Sequence, residues 1–341
     1  MKQKNYVRIS NELHPNRELL KTFYSELNIP DELDYEIVDE ILKVNREIGS
    51  INMGGAWNYY NENTRKDYVL ALRNNDRDEL VKLFSSLFQS QCSSAIITPS
   101  INVAKDFNLA SQVSWDLDAL AEFSISKYDY SILHTPKIGS PFGIELDGNK
   151  ILPDSARHLF FAEKLKNIAD ENKSNILEIG GGYGGLAYFL NKLNYNKSYF
   201  NIDLPETLFI CYYYLRKNKI NCEFLTRKTK VKEGVFYLIP SNEYQNLINN
   251  ISFDVFFNCA SLSEMDKSIA FGYINTLNKI QPKHILHCNS NYLAFPNSKI
   301  HVEILAKDFP IDSNSYKLEF KYISPFQGAS GRYRIFYYKL N

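Results

Sequence analysis

The sequence predicts an open α/β fold, a mostly parallel sheet with antiparallel strands at its C-terminal edge, preceded by a mainly helical N-terminal region. Three observations predict it. From Asn175 onward, short apolar runs alternate with helical patterns, as strands buried between covering helices do. Before about residue 130, apolar residues instead recur at three- and four-residue intervals, the mark of helices with one buried face. At the end of the chain two strand-like runs follow each other with no helix between them, which makes an antiparallel pair.

In chain order, helices are expected over Asn16–Ile29, over Asp31–Ile48 and over Thr64–Phe88, the last broken around Asn74-Asn75-Asp76. The texture changes between about 134 and 155. His134–Gly143 is loop chemistry, and Ile144–Leu146 and Lys150–Leu152 flank Asp147-Gly148-Asn149, an Asp-Gly hairpin signal. Asp154-Ser155 is expected to cap a helix running to Ala169, with a side-chain oxygen for exposed backbone N–H groups. Strands are expected at Asn175–Gly180, Ser198–Asp203, Cys222–Thr226, Val235–Ile239, Asp254–Cys259 and His284–Asn289. Helices are expected at Gly184–Leu193, Glu206–Lys217 and Glu264–Ile280, and the closing strands at Tyr316–Ser324 and Arg332–Leu340. The chain therefore divides into residues 1–150, with the hairpin near 144–152, and a ligand-binding domain over 151–341.

Composition narrows the function. Lys+Arg and Asp+Glu both number 39, so the net charge is zero, against a protein whose main task is gripping nucleic acid. The basic run Arg227–Lys232 reads as a solvated loop. Five cysteines without a C-x-x-C pair speak against a disulfide framework or a zinc ribbon and for reduced thiols. The start of the sequence lacks the apolar core of a signal peptide, and no apolar run approaches the roughly 18 residues of a membrane span. A soluble, cytoplasmic protein is expected, with no metal indicated, since no H-E-x-x-H or EF-hand pattern occurs. The 24 tyrosines and 22 phenylalanines accompany many Asn, Lys and Ile residues, which points to AT-rich coding before sugar stacking.

The most informative stretch is Ile176–Leu186, which follows an expected strand and opens an expected helix. Gly180, Gly182, Tyr183 and Gly184 form a turn in which missing side chains let the backbone approach a ligand. Gly180, Gly182 and Gly185 also satisfy the dinucleotide fingerprint G-x-G-x-x-G, so the loop alone does not choose between cofactors. Glu178 tips the choice. A pyrophosphate beside that carboxylate is unfavourable, whereas S-adenosylmethionine brings an ammonium and a sulfonium. Opposite charges at about 4 Å and an effective dielectric of about 20 attract by about 4 kcal/mol before desolvation. The plainer reading leaves Glu178 merely exposed at a strand end. Asp203 ends the next strand, where a carboxylate accepts hydrogen bonds from ribose hydroxyls, or complements the N-terminus of the following helix. Leu204, Asn258 and Ser261 complete the expected cofactor set.

Glu178–Gly185 and Ile202–Glu206 resemble the sugar O-methyltransferase family of bacterial surface-polysaccharide loci. Asp147–Asn149 followed by Pro153–His158, and Ser261–Met265, are similar to it as well; together the likeness spans about residues 140 to 270. The resemblance implies a Rossmann-like class I methyltransferase sheet, S-adenosylmethionine as donor and a sugar hydroxyl as acceptor: a free sugar, a nucleotide-linked sugar or a glycan.

Methyl transfer to a weakly acidic hydroxyl gains from a positioned base. Glu264, after the strand Asp254–Cys259, is one candidate, although Ser261-x-x-Glu264 also has the spacing of a helix capping box. His158 is a second, with Arg157 beside it able to grip a phosphate on a nucleotide-linked sugar, or else it is a structural histidine. His287 is a third; His284 lies three residues away and so on the opposite side of a strand. Trp57 is an acceptor-side candidate, while Tyr212-Tyr213-Tyr214 reads better as core packing than as a sugar platform. An NAD-dependent oxidoreductase and a non-catalytic nucleotide-binding scaffold remain the alternatives.

Overall fold

The computed structural model describes residues 20–48, 55–99, 101–104, 109–124, 130–172, 174–248, 251–292, 304–326 and 332–341. The N-terminal part contains β1 (Lys21–Tyr24), α1 (Glu32–Ile48), α2 (Gly55–Glu62), α3 (Lys66–Asn74), α4 (Arg77–Ser85), α5 (Ile101–Ala104), α6 (Leu109–Phe123), β2 (Phe142–Leu146) and β3 (Asn149–Ile151). There follow α7 (Ser155–Asn172), β4 (Ile176–Ile179), α8 (Gly185–Lys192), β5 (Tyr199–Asp203), α9 (Pro205–Lys217), β6 (Cys222–Phe224), β7 (Phe236–Pro240) and α10 (Tyr244–Leu247). The chain ends with β8 (Val255–Cys259), α11 (Lys267–Ile280), β9 (His284–Ser290), β10 (Tyr316–Ile323) and β11 (Tyr333–Leu340).

Eight strands form the main sheet in the order β10-β11-β9-β8-β4-β5-β7-β6. The pairs from β9 through β6 are parallel, and β11 runs antiparallel to both β9 and β10. The expected architecture, mostly parallel with a reversed strand near the C-terminal edge, is therefore present. Side chains alternate along the buried strands as a period of two requires. Ile176, Tyr199 and Leu286 join the buried cluster that contains residues of α7, α8 and α9. Leu177, Phe200 and Ile285 face α11 instead. The chain runs from β4 to β5 on one side and returns to β8 on the other. Such a reversal opens a crevice at the carboxyl ends of the strands.

The N-terminal helices are joined to the sheet layer through α9. Tyr213 donates its O–H to Asp34 at 2.6 Å and Tyr212 to Glu40 at 2.7 Å, while Lys217 pairs with Asp34 at 2.8 Å. The Tyr213 ring stacks on Phe84 at 5.0 Å, so the three tyrosines tie layers together and offer no sugar platform. One apolar cluster contains Ile37, Phe84 and Leu117 together with Phe160, Leu190 and Tyr214, and so continues across residue 150.

Three local expectations are corrected. Within Asn16–Ile29 the described residues include the strand β1 where a helix was expected, because Lys21–Tyr24 pairs with Phe142–Glu145 of the hairpin. Phe23 then faces the core and Tyr24 stacks on Phe142 at 6.1 Å, a long-range pairing that local periodicity does not reveal. Asp154 does not lend its carboxylate to the start of α7; the oxygen accepts the Thr98 N–H at 2.8 Å and pairs with Arg157 at 3.1 Å. The helix expected from Glu264 begins at Lys267, after a separate 3-10 turn over Leu262–Glu264.

Candidate functional site

At the carboxyl end of β4 the chain turns through Gly180, at φ +79°, into α8. A β-carbon at Gly180 would lie 2.2 Å from Ser261 Oγ, so only glycine allows β8's following turn to close against β4. The turn is held from β5: Gly180 N–H donates to Ile202 O at 2.8 Å, Gly181 N–H to Asn201 Oδ1 at 3.0 Å and Gly182 N–H to Asp203 Oδ2 at 3.0 Å. On the other side Asn258 donates to Ile179 O at 2.7 Å, and Asn289 donates to Asn258 Oδ1 at 2.7 Å. Ser261 gives its hydroxyl to Ile179 O at 3.2 Å. Asn258 is thus wholly buried behind the turn as a support for it and does not reach the cavity in front.

That cavity is lined by Glu178, the glycine turn, Asp203, Leu204, Arg157 and Glu264, among others. Glu178 is 3% exposed and accepts the Tyr199 O–H. Burial pushes its carboxyl up to about 8, against the Tyr199 hydrogen bond and with the acids and thiol nearby adding to the shift. Burial likewise pushes Asp203 up to about 7, although the Leu204 and Gly182 N–H groups favour its ionised form. Two carboxyls poised near neutrality at the ends of neighbouring strands await groups that bring positive charge or hydrogen-bond donors. Gly180, Gly182, Tyr183 and Ser261 also line the cavity, whereas Gly184 lies beneath the turn, where a β-carbon would meet Cys211 Sγ at 2.8 Å.

Glu264 lines the cavity from its 3-10 turn. The capping box suggested by its spacing is not formed, because the Ser261 side chain bonds Ile179 and Asn258 and does not cap Glu264. Burial pushes the Glu264 carboxyl up to about 7, opposed by the Arg332 charge and by a hydrogen bond from Tyr333 at 3.4 Å. Tyr333 and Arg332 were not singled out in the sequence. Tyr333 reaches the site because β11 runs backwards, so its first residue lies beside Ser290, at the edge where the parallel strands end, and Arg332 just before it acts on Glu264 through its charge. The only signal for them was the position of that strand after a Pro- and Gly-containing segment.

On α7, Arg157 is buried and paired with Asp154, and its Nε has no hydrogen-bond partner. His158 lines the cavity, with Nδ1 at 3.2 Å from Tyr183 Oη. Burial and the Arg157 charge hold it well below the usual imidazole range, so it is neutral. Trp57, on α2, also lines the cavity, with the Arg65 guanidinium 5.7 Å from its ring centre.

His287 is not brought to the site, which corrects its candidacy as a base. Alternation along β9 turns it to the α11 face, 1% exposed, with Phe309 and Phe336 rings at 5.0 and 4.9 Å. Neither ring nitrogen has a partner, and burial lowers its titration to about 3. His284 projects to the other face, against Tyr337. Among the described residues, no group of three or more His, Cys, Asp or Glu could hold a metal, and no helix is long and apolar enough to cross a membrane.

No family model and no curated protein matches the chain. Among solved structures it is similar to an S-adenosylmethionine-dependent methyltransferase from Clostridium acetobutylicum ATCC 824, at 11% identity and TM-score 0.37, over 53% of this chain and 90% of that one. It is similar to the N-methyltransferase NodS from Bradyrhizobium japonicum WM9, in complex with S-adenosyl-L-homocysteine, at 16% identity and TM-score 0.39, over 55% and 87%. The magnesium protoporphyrin IX methyltransferase ChlM from Synechocystis PCC 6803, with bound SAH, is a third, at 9% identity and TM-score 0.39, over 55% and 86%. Likenesses this remote assign no activity; the chain's own geometry has to do that.

Proposed function

We propose that the protein is an S-adenosylmethionine-dependent O-methyltransferase acting on a sugar hydroxyl, in the making of a bacterial surface polysaccharide. The observation that carries the cofactor is the pair Glu178, buried, and Asp203, half-buried, two carboxyls that titrate near neutral pH on either side of a glycine turn. The cradle fits the group. Glu178 would hold the ammonium, Asp203 the ribose hydroxyls, and the Gly180–Gly182 backbone would lie against the chain between them, with Leu204 beside the adenine. A dinucleotide would instead bring its pyrophosphate up to Glu178.

Bound S-adenosylmethionine supplies a methyl carbon already activated by its sulfonium. The protein's part is to hold an acceptor hydroxyl in line and to take its proton. Glu264 is the base in this reading: its carboxyl faces the cavity, and titration near 7 keeps it available at neutral pH without making it too weak to accept a proton. Tyr333 steadies Glu264 through the hydrogen bond to Oε1. His158, neutral and held against Tyr183, shapes the wall; burial and the Arg157 charge make it a weak proton acceptor. Arg157, which lines the cavity, is placed to meet an anionic group such as the phosphate of a nucleotide-linked sugar. Residues 1–150 form the acceptor side through Trp57, Ile96 and Thr98, and 151–341 the cofactor side. The acceptor class itself is supported by the motif resemblance over residues 140 to 270. The reading places the enzyme in the cytoplasm, where nucleotide-linked sugars are assembled.

The test is calorimetric titration with S-adenosylhomocysteine and, separately, NAD, on the native chain and on Glu178→Ala and Asp203→Ala. Binding of the adenosyl ligand alone, weakened by both substitutions, is the expected result. Binding of NAD alone would overturn the reading and move the search to hydride transfer.

A further inference from the structure

Cys259 ends β8 and lines the cavity, and Cys288 is its register partner on β9. Register partners on adjacent strands point to the same face at the strand spacing of about 4.8 Å. That separation lies within the Cα range of about 4.4–6.8 Å that a disulfide spans. Both side chains turn towards α7, where Cys288 belongs to the buried cluster and Cys259 packs against it. Both are free thiols.

The surroundings treat the two sulfurs differently. Cys288 is buried, which by itself would raise its thiol, but hydrogen bonds from Cys259 and Ser324 and the Arg157 charge hold it below the ordinary value. Cys259 is held well above it by the hydrogen bond with Cys288 and by burial. None of this is used by the methyl-transfer chemistry.

We propose that Cys259 and Cys288 form an oxidative modification site, a thiol pair that a small peroxide entering through the cavity closes into a disulfide. In the first step one sulfur attacks hydrogen peroxide: an S–O bond forms, the O–O bond breaks, and a sulfenic acid and water result. The second thiol then displaces that oxygen as water, forming S–S and breaking S–O. Two thiols lose two electrons in all, and one peroxide becomes two waters. The bridge removes a thiol from the wall beside Arg157 and ties the base of the turn that carries Glu264 to β9. A ligand filling the cavity covers Cys259 and so shields the pair.

The experiment treats the full chain with hydrogen peroxide, with and without S-adenosylhomocysteine, then alkylates, digests without reductant and identifies linked peptides by mass spectrometry. The expected result is one bridge, Cys259 to Cys288, with Cys92, Cys211 and Cys222 still alkylated. Ligand at 100 times its Kd is expected to slow the bridge by about 100-fold, since only the unliganded fraction reacts. Cys288→Ser and Cys259→Ser, checked by circular dichroism, should each abolish the linked peptide. Two alkylatable thiols after peroxide, sulfinic acid without cross-linking, or a bridge to another cysteine would overturn the proposal. So would a bridging rate unchanged by a ligand that calorimetry shows to be bound. A bridge that forms although no adenosyl ligand binds supports the thiol pair and counts against the cofactor reading alone.

Discussion

If Glu178 receives the ammonium of the cofactor, binding must expel a proton. In the free protein its carboxyl titrates at about 8, so at pH 7 it is about 90% protonated. Ionising it there costs about 1.4 kcal/mol, the equivalent of one pH unit. A ligand that requires the carboxylate should therefore release about 0.9 proton at pH 7, a figure that shrinks above pH 8. Asp203, at about 7, is half protonated at pH 7, and ribose hydroxyls donating to it would release up to about 0.5 more. The sign is fixed: affinity rises with pH, by up to tenfold per unit below about 8 from Glu178 alone and more steeply below about 7 where Asp203 adds to it, and then levels. Calorimetry of S-adenosylhomocysteine binding in phosphate and in Tris measures this directly, because the heat differs by the protons exchanged with the buffer. Glu178→Gln should remove the larger share and leave about 0.5 proton or fewer at pH 7. A buffer-independent heat, proton uptake, or a Glu178→Gln variant indistinguishable from the native chain would refute the reasoning.

The remaining expectations concern stability. His287 stays neutral when folded but binds a proton near 6.5 when unfolded, so its contribution is present above pH 6.5 and is lost as pH falls towards about 3. His287→Phe removes two unpartnered ring nitrogens from an aromatic site, and urea melts should show a gain of about 1–3 kcal/mol at pH 5, with a flatter acid limb. Asp154→Ala leaves the Arg157 guanidinium buried without its partner and should cost about 3–5 kcal/mol in the same melts. Gly180→Ala forces a β-carbon to 2.2 Å from Ser261 Oγ at a positive φ, for about 2–5 kcal/mol from overpacking and left-handed strain together, and calorimetry should find no adenosyl ligand bound.

How much of this was legible in the sequence follows from the range of the forces involved. The strands from β4 to β9 were readable because burial on both faces writes continuous apolar runs, and the glycine turn because its backbone conformation excludes other residues at Gly180. Glu178 and Asp203 were found by their places at strand ends, and Ser261 and Glu264 by theirs after a strand; all four line the cavity. The misses share one cause: they depend on what a segment meets far away in the chain. Lys21–Tyr24 has a helical spacing and becomes a strand because the hairpin offers it an edge. Asp154 has the look of a cap and instead serves Thr98 and Arg157. His287 sits at the right height on β9 but on the wrong face, which a strand's unknown phase conceals. Tyr333 enters the site only because β11 is reversed.

The joints between the N-terminal helices and the sheet layer bear on why so many residues precede the glycine turn. Tyr68 donates to Glu206 O and Asn61 to the Glu206 carboxylate, both at the first turn of α9, directly after Asp203. Asp154 holds Thr98 at the start of α7, next to Arg157 and His158. The two attachments therefore grip the helix starts on either side of the cavity, and the chain between them supplies Ile96 and Thr98 to the wall. On the proposed reading, changes in the residues before 150 reshape the acceptor side, while the hydrogen bonds that hold Gly180, Gly181 and Gly182 all come from within the sheet layer. Such a division lets one cofactor cradle serve different acceptors. It also requires that Asn61→Ala, which loosens α2 from Glu206, weaken acceptor binding more than cofactor binding. A cofactor affinity that fell as far as acceptor affinity in that variant would show that the N-terminal helices belong to the cradle itself.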